Sequence, residues 1–438
     1  MLHLVLGWAT ILGTLAPCPA PASPRNISQW PTFIGYGPIE VPPPPARWTR
    51  AAWLDSLLVE RWKQNPPPGA GRALSALKNS TPLLLWNRWA QEPIAAFDRL
   101  DPPRAARALA YSSVVSYEIL RCIEMNTRRA PHRPRDPNHG RARADYPDDL
   151  AALSAGQSLI LGDFFPDWDH NLTRRARATA WLHVADGTAF PTDIQNGWQI
   201  GDHIARAALR RLRQDPQPRA NRVPLWALSP DAGQWQTWLE HPYNSRPRVP
   251  RTVERPSLPL RLTIRKRNLM VKWLNADPAR MWHERVTALC MKNSRGQLET
   301  AYILACTSMA MQDAAIHAWR AHPLMAEVPP QAALSRTNPA LPPPDHPAYA
   351  AATAAIAYAA ATVAGEFFPR HKNELLQGAK EASQALLDAG WCDAGDRHSG
   401  EALGRAIGVR FSKKPVAWTP PGDCEGHGSV FVATSHSR

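Results

Sequence analysis

The chain has 438 residues with 51 Lys and Arg against 37 Asp and Glu, a formal charge of +14 and a pI near 9.9. Its hydrophobic content of 44% is ordinary for a globular protein, so 45 prolines do not indicate a disordered chain, and 24 glycines without a period exclude a collagen-like fibre. Six cysteines are too few over this length for a disulfide scaffold.

The first residues are typical of an export signal. Residues 2–16 form an apolar run without a charged side chain, and Ala20-Pro21-Ala22 then gives an A-x-A cleavage pattern before Ser23. We therefore expect a signal peptide over 1–22 and a secreted, periplasmic or extracellular protein. The alternatives are a misassigned start or a short membrane anchor, because no basic residue precedes the apolar run. Cleavage leaves five cysteines, at least one of which is unpaired in an oxidising compartment.

After the signal, a proline-rich arm is expected over 23–45 and helices follow. Apolar residues at helical spacing predict helices over 48–62, 83–100, from Pro102 onward, and over 148–165, 173–186 and 194–213. Residues 214–262 are rich in Trp and Pro and predict an irregular loop that packs its tryptophans onto the bundle. Residues 260–273 are expected to form a short strand pair or nothing regular.

Helices resume from Asp277. Residues 301–311 carry no charge and predict a buried central helix, and 346–368, the region around Leu375–Leu386, and 400–411 predict three more. An irregular tail is expected over 412–438. No internal repeat of 20–50 residues is present. The pattern predicts a single-domain, all-α helical bundle over 46–411 with long Pro-rich loops. No segment after the signal is expected to span a membrane, because the uncharged run 348–365 is mostly alanine.

Standard catalytic motifs are absent: there is no phosphate-binding glycine loop, HExxH, CxxC or G-x-S-x-G. Residues 261–273 (RLTIRKRNLMVKW) are basic with apolar residues interleaved. This run is either a solvated edge, which we favour, or a surface for an anionic membrane or nucleic acid. A nucleic-acid partner is not expected.

Three stretches resemble the bacterial vanadium-dependent haloperoxidase and type 2 phosphatidic acid phosphatase superfamily. They are LLLWNRWAQEPIAAFDRLDPPRAARALAYSSVVSYEIL at 83–120, MQDAAIHAWRAH at 311–322 with DHPAYAAATAAIAYAAATVAGEFFP at 345–369, and WCDAGDRHSGEALGRAIG at 391–408. The resemblance implies the helical haloperoxidase fold and a site for vanadate or phosphate. In that family a tetrahedral oxyanion is held by Lys and Arg, by a Pro-Ser-Gly-His helix start and by a His that an Asp supports.

Most of the implied site positions carry other residues here. The catalytic positions fall on His322, Thr353, Cys392 and Asp396, of which only the Asp keeps the family identity. The oxyanion-binding positions fall on Pro329, Ala351, Ala352 and Leu386. Three cations and the covalent His ligand are therefore missing, and no cofactor is expected.

These substitutions predict a catalytically diverged, exported protein with a binding or structural role and an unknown small-molecule or protein partner. A homo-oligomer stays open. One alternative is new chemistry at a repurposed pocket of His322, Cys392 and Asp396, as a soft-metal pair or a Cys–His nucleophile. The other is residual haloperoxidase or phosphatase activity. Asp396 either supports Cys392 or, as we favour, caps the last helix or pairs with Arg397 or Arg405.

Overall fold

A computed structural model describes residues 30–46, 48–66, 75, 77, 80–96, 102–129, 146–215, 230–239, 263–321 and 348–413. Helices run through nearly all of these ranges, and no strand occurs within them. In chain order the α-helices are α1 Arg50–Gln64, α2 Pro82–Ala96, α3 Pro102–Arg129, α4 Asp149–Phe164, α5 Asp169–Ala180, α6 Leu182–Ala185, α7 Pro191–Leu212, α8 Ile264–Leu274, α9 Pro278–Lys292, α10 Gln297–Ala321, α11 Tyr349–Phe367, α12 Lys372–Asp388 and α13 Ala394–Lys413. The predicted all-α class is confirmed.

Side-chain caps explain where several helices begin. The side chains of Thr49, Asp148, Thr263 and Asp277 each accept a backbone N–H from the first turn of α1, α4, α8 and α9. Each cap satisfies one of the donors that a helix start leaves without an intrahelical partner. Proline at the first position of α9 has no donor to lose there.

The long helices α3 and α10 cross at the centre of the core. Ser113 Oγ on α3 lies 3.3 Å from Ser308 Oγ on α10 and 3.2 Å from Nε2 of His283 on α9. Gln91 Nε2 on α2 lies 3.3 Å from the other ring nitrogen of His283. Burial lowers the pKa of His283 to about 4, so this interior imidazole is neutral at pH 7.

The two halves of the chain repeat one arrangement. Helix α4, a 3₁₀ turn at Pro166–Trp168 and α5 correspond to α11, a 3₁₀ turn at Pro369–His371 and α12. The junction residues have nearly the same backbone angles: φ −130° and ψ 72° at Phe165, φ −127° and ψ 67° at Phe368. The offset of 203 residues also relates Gly187 to Gly390, whose φ angles are +79° and +68°.

The repeat includes two close helix contacts, one in each half of the described chain. Gly197 and Gly201 on α7 lie against the carbonyl oxygens of Asp148 and Ala152, and a Cβ on either glycine would collide with them. At the same offset, Gly400 and Gly404 on α13 lie against the carbonyl oxygens of Ala351 and Ala355. The absence of a side chain on these glycines therefore allows α7 to lie close to α4 and α13 to lie close to α11. The close approach occurs at the starts of α4 and α11.

Three expected element boundaries are corrected. Residues 260–273 form no strand in their described part, because Thr263 caps α8 and Met270, Trp273 and Leu274 bury one helical face. The last helix begins at Ala394 rather than Gly400. The expected helix over 173–186 begins at Asp169 and is divided into α5 and α6 at Trp181.

Other expectations are met within the described residues. The Trp/Pro-rich loop over 214–262 is described only at its start and over 230–239, where Trp235 and Trp238 are buried against the bundle. Helix α10 is buried on every face from Ile303 to Trp319. By length and composition alone α11 could cross a membrane, but 78% of its apolar window is buried inside the protein, as in a core helix.

Candidate functional site

Six of the eight residues predicted by resemblance lie in the described part of the chain, around the start of α11. Ala351, Ala352 and Thr353 lie in its first turns, Leu386 lies in the last turn of α12, and Cys392 lies in the short connection to α13. Asp396 is in the first turn of α13. The other two predicted positions, His322 and Pro329, lie outside the described residues.

Residues next to the predicted positions connect the start of α11, the end of α12 and the start of α13. The Trp391 backbone N–H donates to the Leu386 carbonyl oxygen at 2.9 Å, which folds the end of α12 back onto the connection. The Trp391 and Tyr349 rings meet edge to face with centroids 6.0 Å apart. Gly400 lies against the Ala351 carbonyl. The starts of α11 and α13 and the end of α12 therefore enclose one small region.

Cys392 is enclosed within this region, and its surroundings lower the reactivity of its thiol. Its side chain is 1% exposed. Burial raises the pKa of the Cys392 thiol, and the charges of Asp396 and Asp393 raise it further, with Arg397 acting in the opposite direction. Since the thiolate is the nucleophile and the metal ligand, a thiol held protonated at neutral pH is a poor candidate for either role.

Asp396 is used to cap α13. The Asp396 backbone N–H donates to the Asp393 carboxylate at 2.7 Å, and the Asp396 carboxylate accepts the backbone N–H of Asp393 in return. This reciprocal pair is a capping box. Burial and the neighbouring Asp393 charge raise the pKa of Asp396 to about 6. The geometry therefore agrees with the structural role that we favoured for Asp396.

The remaining lining offers little to bind an oxyanion. Ala352 and Leu386 are fully buried and apolar, and the buried hydroxyl of Thr353 finds no hydrogen-bond partner among the described residues. Arg397 is the cation nearest to Cys392 in sequence, and its Nη1 lies 3.4 Å from Oε1 of Glu401. A helix start such as that of α11 attracts anions, but the charges of Asp396, Asp393 and Glu401 around Cys392 repel them and outnumber the one cation, Arg397. The described residues therefore do not fit vanadate or phosphate.

The internal repeat reveals a polar cluster that sequence reasoning missed. Moving 203 residues back from Ala351, Ala352 and Leu386 gives Asp148, Asp149 and His183. His183 Nδ1 lies 2.7 Å from the Asp148 carboxylate. The signal that could have found the cluster is the shared G-[DE]-F-F-P at 162–166 and 365–369, which fixes the register of the two halves.

This cluster has the spacing of a cation site but is already internally paired. Its three potential ligand atoms lie within 4.8 Å of one another. Asp148 accepts the Ala151 N–H and the His183 imidazole, and Asp149 accepts the Gln297 amide at 2.7 Å. Burial lowers the pKa of His183, but Asp148 and its acidic neighbours outweigh this and raise it to about 9. A protonated imidazole paired with a carboxylate explains the cluster without a metal.

Comparison with known proteins supports the fold and goes no further. No family model and no curated protein matches the chain. Among solved structures it is similar to one described as the first bacterial vanadium-dependent iodoperoxidase, with a TM-score of 0.52 and 15% identity over 76% of this chain and 95% of that one. At this identity the match establishes the fold alone. The haloperoxidase-type helical fold implied by the sequence resemblance is thus confirmed.

Proposed function

We propose that this chain is an exported, catalytically diverged protein of the haloperoxidase fold that acts by binding or within a structural assembly. The observation that carries the proposal is the electrostatic environment of Cys392. At the position where the resemblance implies an oxyanion ligand, three carboxylates, Asp396, Asp393 and Glu401, act on Cys392, and one cation, Arg397, opposes them. Such surroundings oppose vanadate and phosphate instead of neutralising them.

The amount of oxyanion affinity lost with the substituted residues supports the same conclusion. A hydrogen bond to a charged group contributes roughly 1.5–3 kcal/mol, and about 1.4 kcal/mol corresponds to a tenfold change in affinity. Replacing three cationic donors by the residues at His322, Pro329 and Leu386 therefore removes several orders of magnitude of oxyanion affinity. The backbone donors at the start of α11 do not replace them.

The alternative enzyme with new chemistry is disfavoured by the state of the thiol. A Cys–His nucleophile or soft-metal site needs an accessible thiolate of lowered pKa. Burial and the adjacent carboxylates act on Cys392 in the opposite direction. His322, the other half of the proposed pair, lies outside the described residues.

Thermal melting with vanadate and with phosphate tests the loss of the site. A ligand at a hundredfold excess over its Kd stabilises the native protein by about 2.7 kcal/mol, which is a clear shift in Tm. We expect no saturable shift at millimolar oxyanion and no bromination or p-nitrophenyl phosphate turnover with added vanadate. A saturable upward shift, or turnover that His322→Ala abolishes, would refute the proposal.

Alkylation of the folded protein separates the proposal from the new enzyme. We expect iodoacetamide to leave Cys392 unmodified under native conditions and to modify it after denaturation, as peptide mapping would show. The matched internal control is Cys306, which is also buried and whose pKa burial raises to about 12. Rapid native modification of Cys392 alone would favour the enzyme.

N-terminal sequencing of protein recovered outside the cytoplasm tests export, which predicts a start near Ser23.

A further inference from the structure

We propose that α1 docks this protein onto an anionic lipid surface. The exposed face of α1 carries large apolar side chains between two arginines. Trp53 is 61% exposed, Leu57 is 49% exposed, and Leu54 and Leu58 lie beside them. The inference extends the proposed binding role, but it rests on α1 in the first half of the chain and not on the candidate site in the second.

Helical geometry places the charges of α1 where a lipid surface would use them. Arg50, Leu54, Leu57 and Arg61 follow the i, i+4, i+7, i+11 spacing and so lie along one line of the helix. Both arginines are exposed, and neither forms an ion pair with a described residue. An apolar centre with basic ends is typical of helices that lie in the membrane interface, where long basic side chains reach the phosphates.

The acidic residues of α1 do not oppose such a contact. Asp55 points to the protein, where its carboxylate accepts the hydroxyl and the backbone N–H of Thr192. Glu60 lies 3.6 Å from Lys63. The unbalanced charge of the helix is therefore positive, in keeping with a net charge of +14 for the whole chain.

The opposite side of α1 is anchored to the bundle, so the exposed side has a fixed orientation. Val59 is buried, and the Trp62 and Trp181 rings lie with centroids 5.4 Å apart. Trp48 precedes the helix and is 88% exposed. Tryptophan is enriched at membrane–water boundaries because its ring is apolar and its N–H is polar.

Charge favours lipid over a second copy of the chain. Two-fold pairing with the two α1 axes aligned along this line brings arginine to arginine: antiparallel pairing sets Arg50 against the partner copy's Arg61, and parallel pairing sets each against itself. Like charges at such distances destabilise a contact. An anionic bilayer supplies the opposite charge to both arginines.

The basic helix α8 is the weaker candidate for the same contact. Its lysines are paired with α12: Lys266 lies 3.2 Å from Asp388 and Lys272 lies 3.4 Å from Glu381. Its exposed apolar residues, Ile264 and Val271, are seven residues apart with Asn268 between them. This explains why the sequence run 261–273, although more basic, is not the surface that we assign.

Co-sedimentation with vesicles tests the proposal on the full chain. Vesicles of phosphatidylcholine alone and with phosphatidylglycerol are compared at low and high salt for wild type, Trp53→Ser/Leu57→Ser and Arg50→Gln/Arg61→Gln. We expect binding that requires phosphatidylglycerol and falls with salt. The apolar variant should lose at least tenfold in partition coefficient, and each arginine should contribute about fivefold.

A matched control removes exposed apolar residues elsewhere. Met291→Ser/Val409→Ser changes two side chains on α9 and α13 that are exposed to a similar degree, and it should bind as wild type does. Residues 1–22 are the same in all variants, so differences between variants report α1. Equal binding by wild type and the α1 variants would overturn the proposal. So would a lipid-free dimer that Trp53→Ser/Leu57→Ser dissociates, because the patch would then be a subunit interface.

Discussion

Glu118 and Asp313 hold two irregular segments against the core in the same way, one in each half of the chain. The Glu118 carboxylate accepts the consecutive N–H groups of Phe33 and Ile34. The Asp313 carboxylate accepts those of Trp238 and Leu239, at 2.8 and 3.0 Å. The offset of 195 residues between them is also the offset between Ser113 and Ser308, which meet where α3 crosses α10.

These two carboxyls predict an unusual pH dependence of stability. Burial raises the pKa of each to about 7, and the backbone donors only partly offset it. The unfolded-state values are lower, so the folded chain holds more protons between pH 4.5 and 7, and this contribution to stability falls as pH rises through that window. At about 1.4 kcal/mol per pKa unit, Glu118 contributes on the order of 3 kcal/mol.

Urea unfolding of wild type and Glu118→Gln at several pH values measures this contribution. The stability of wild type relative to the variant should fall between pH 4.5 and 7 and become constant above pH 8. The difference is needed because the neutral buried His283 acts in the opposite direction between about pH 4 and 6.5. A wild-type to variant difference that is constant from pH 4.5 to 7 would show that Glu118 ionises normally.

The glycine contacts predict matched losses of stability in the two halves. Gly404→Ala places a methyl group against the Ala355 carbonyl and Tyr358, and Gly201→Ala places one against the Ala152 carbonyl. Because the nearest neighbour of each new methyl group is a backbone carbonyl oxygen, it cannot give way locally. Each substitution should destabilise the protein by about 1–3 kcal/mol, as measured by denaturant unfolding.

Gly296→Ala is the control for this pair. A Cβ at Gly296 meets no heavy atom within 4 Å, and its φ is not in the left-handed region. We expect a loss below about 1 kcal/mol, because Gly296 is the N-cap of α10, where alanine is somewhat less favourable than glycine, and no contact is disturbed. If Gly404→Ala were equally neutral, the close α11–α13 contact would not be a determinant of the fold.

The Asp148–His183 pair predicts a second pH-dependent term of known sign. The pKa of His183 is raised to about 9, so its contribution is present in full below pH 6.5 and is lost as pH rises through 9. His183→Gln should cost on the order of 3 kcal/mol at pH 6 and little above pH 9.5. The exposed His398→Gln serves as the control. An NMR titration that gave His183 a pKa near 6.5 would contradict the ion pair.

The helices could be predicted from sequence wherever the determinants were local. The caps Asp148 and Asp277, the proline at the start of α3 and the uncharged run of α10 all mark elements that the structure contains. The α8 helix was missed because the burial of its apolar face depends on packing against α12 and against the Trp282 ring of α9. The start of α13 was missed because Asp393 and Asp396 cap it reciprocally over a stretch with no apolar period.

For the candidate site as well, some features could be predicted from the sequence and others depend on tertiary packing. The sequence by itself determined the helical class and the haloperoxidase-like arrangement. It also carries no Lys, Arg or His at the described positions where the resemblance implies oxyanion ligands, and residue identity fixes which groups can carry charge. Only the tertiary structure decided that Cys392 is buried beside Asp393 and Asp396, that Asp148 and His183 form the equivalent pair, and that α1 exposes Trp53 and Leu57. Burial and local potential depend on residues far apart in the chain, and no local pattern contains them.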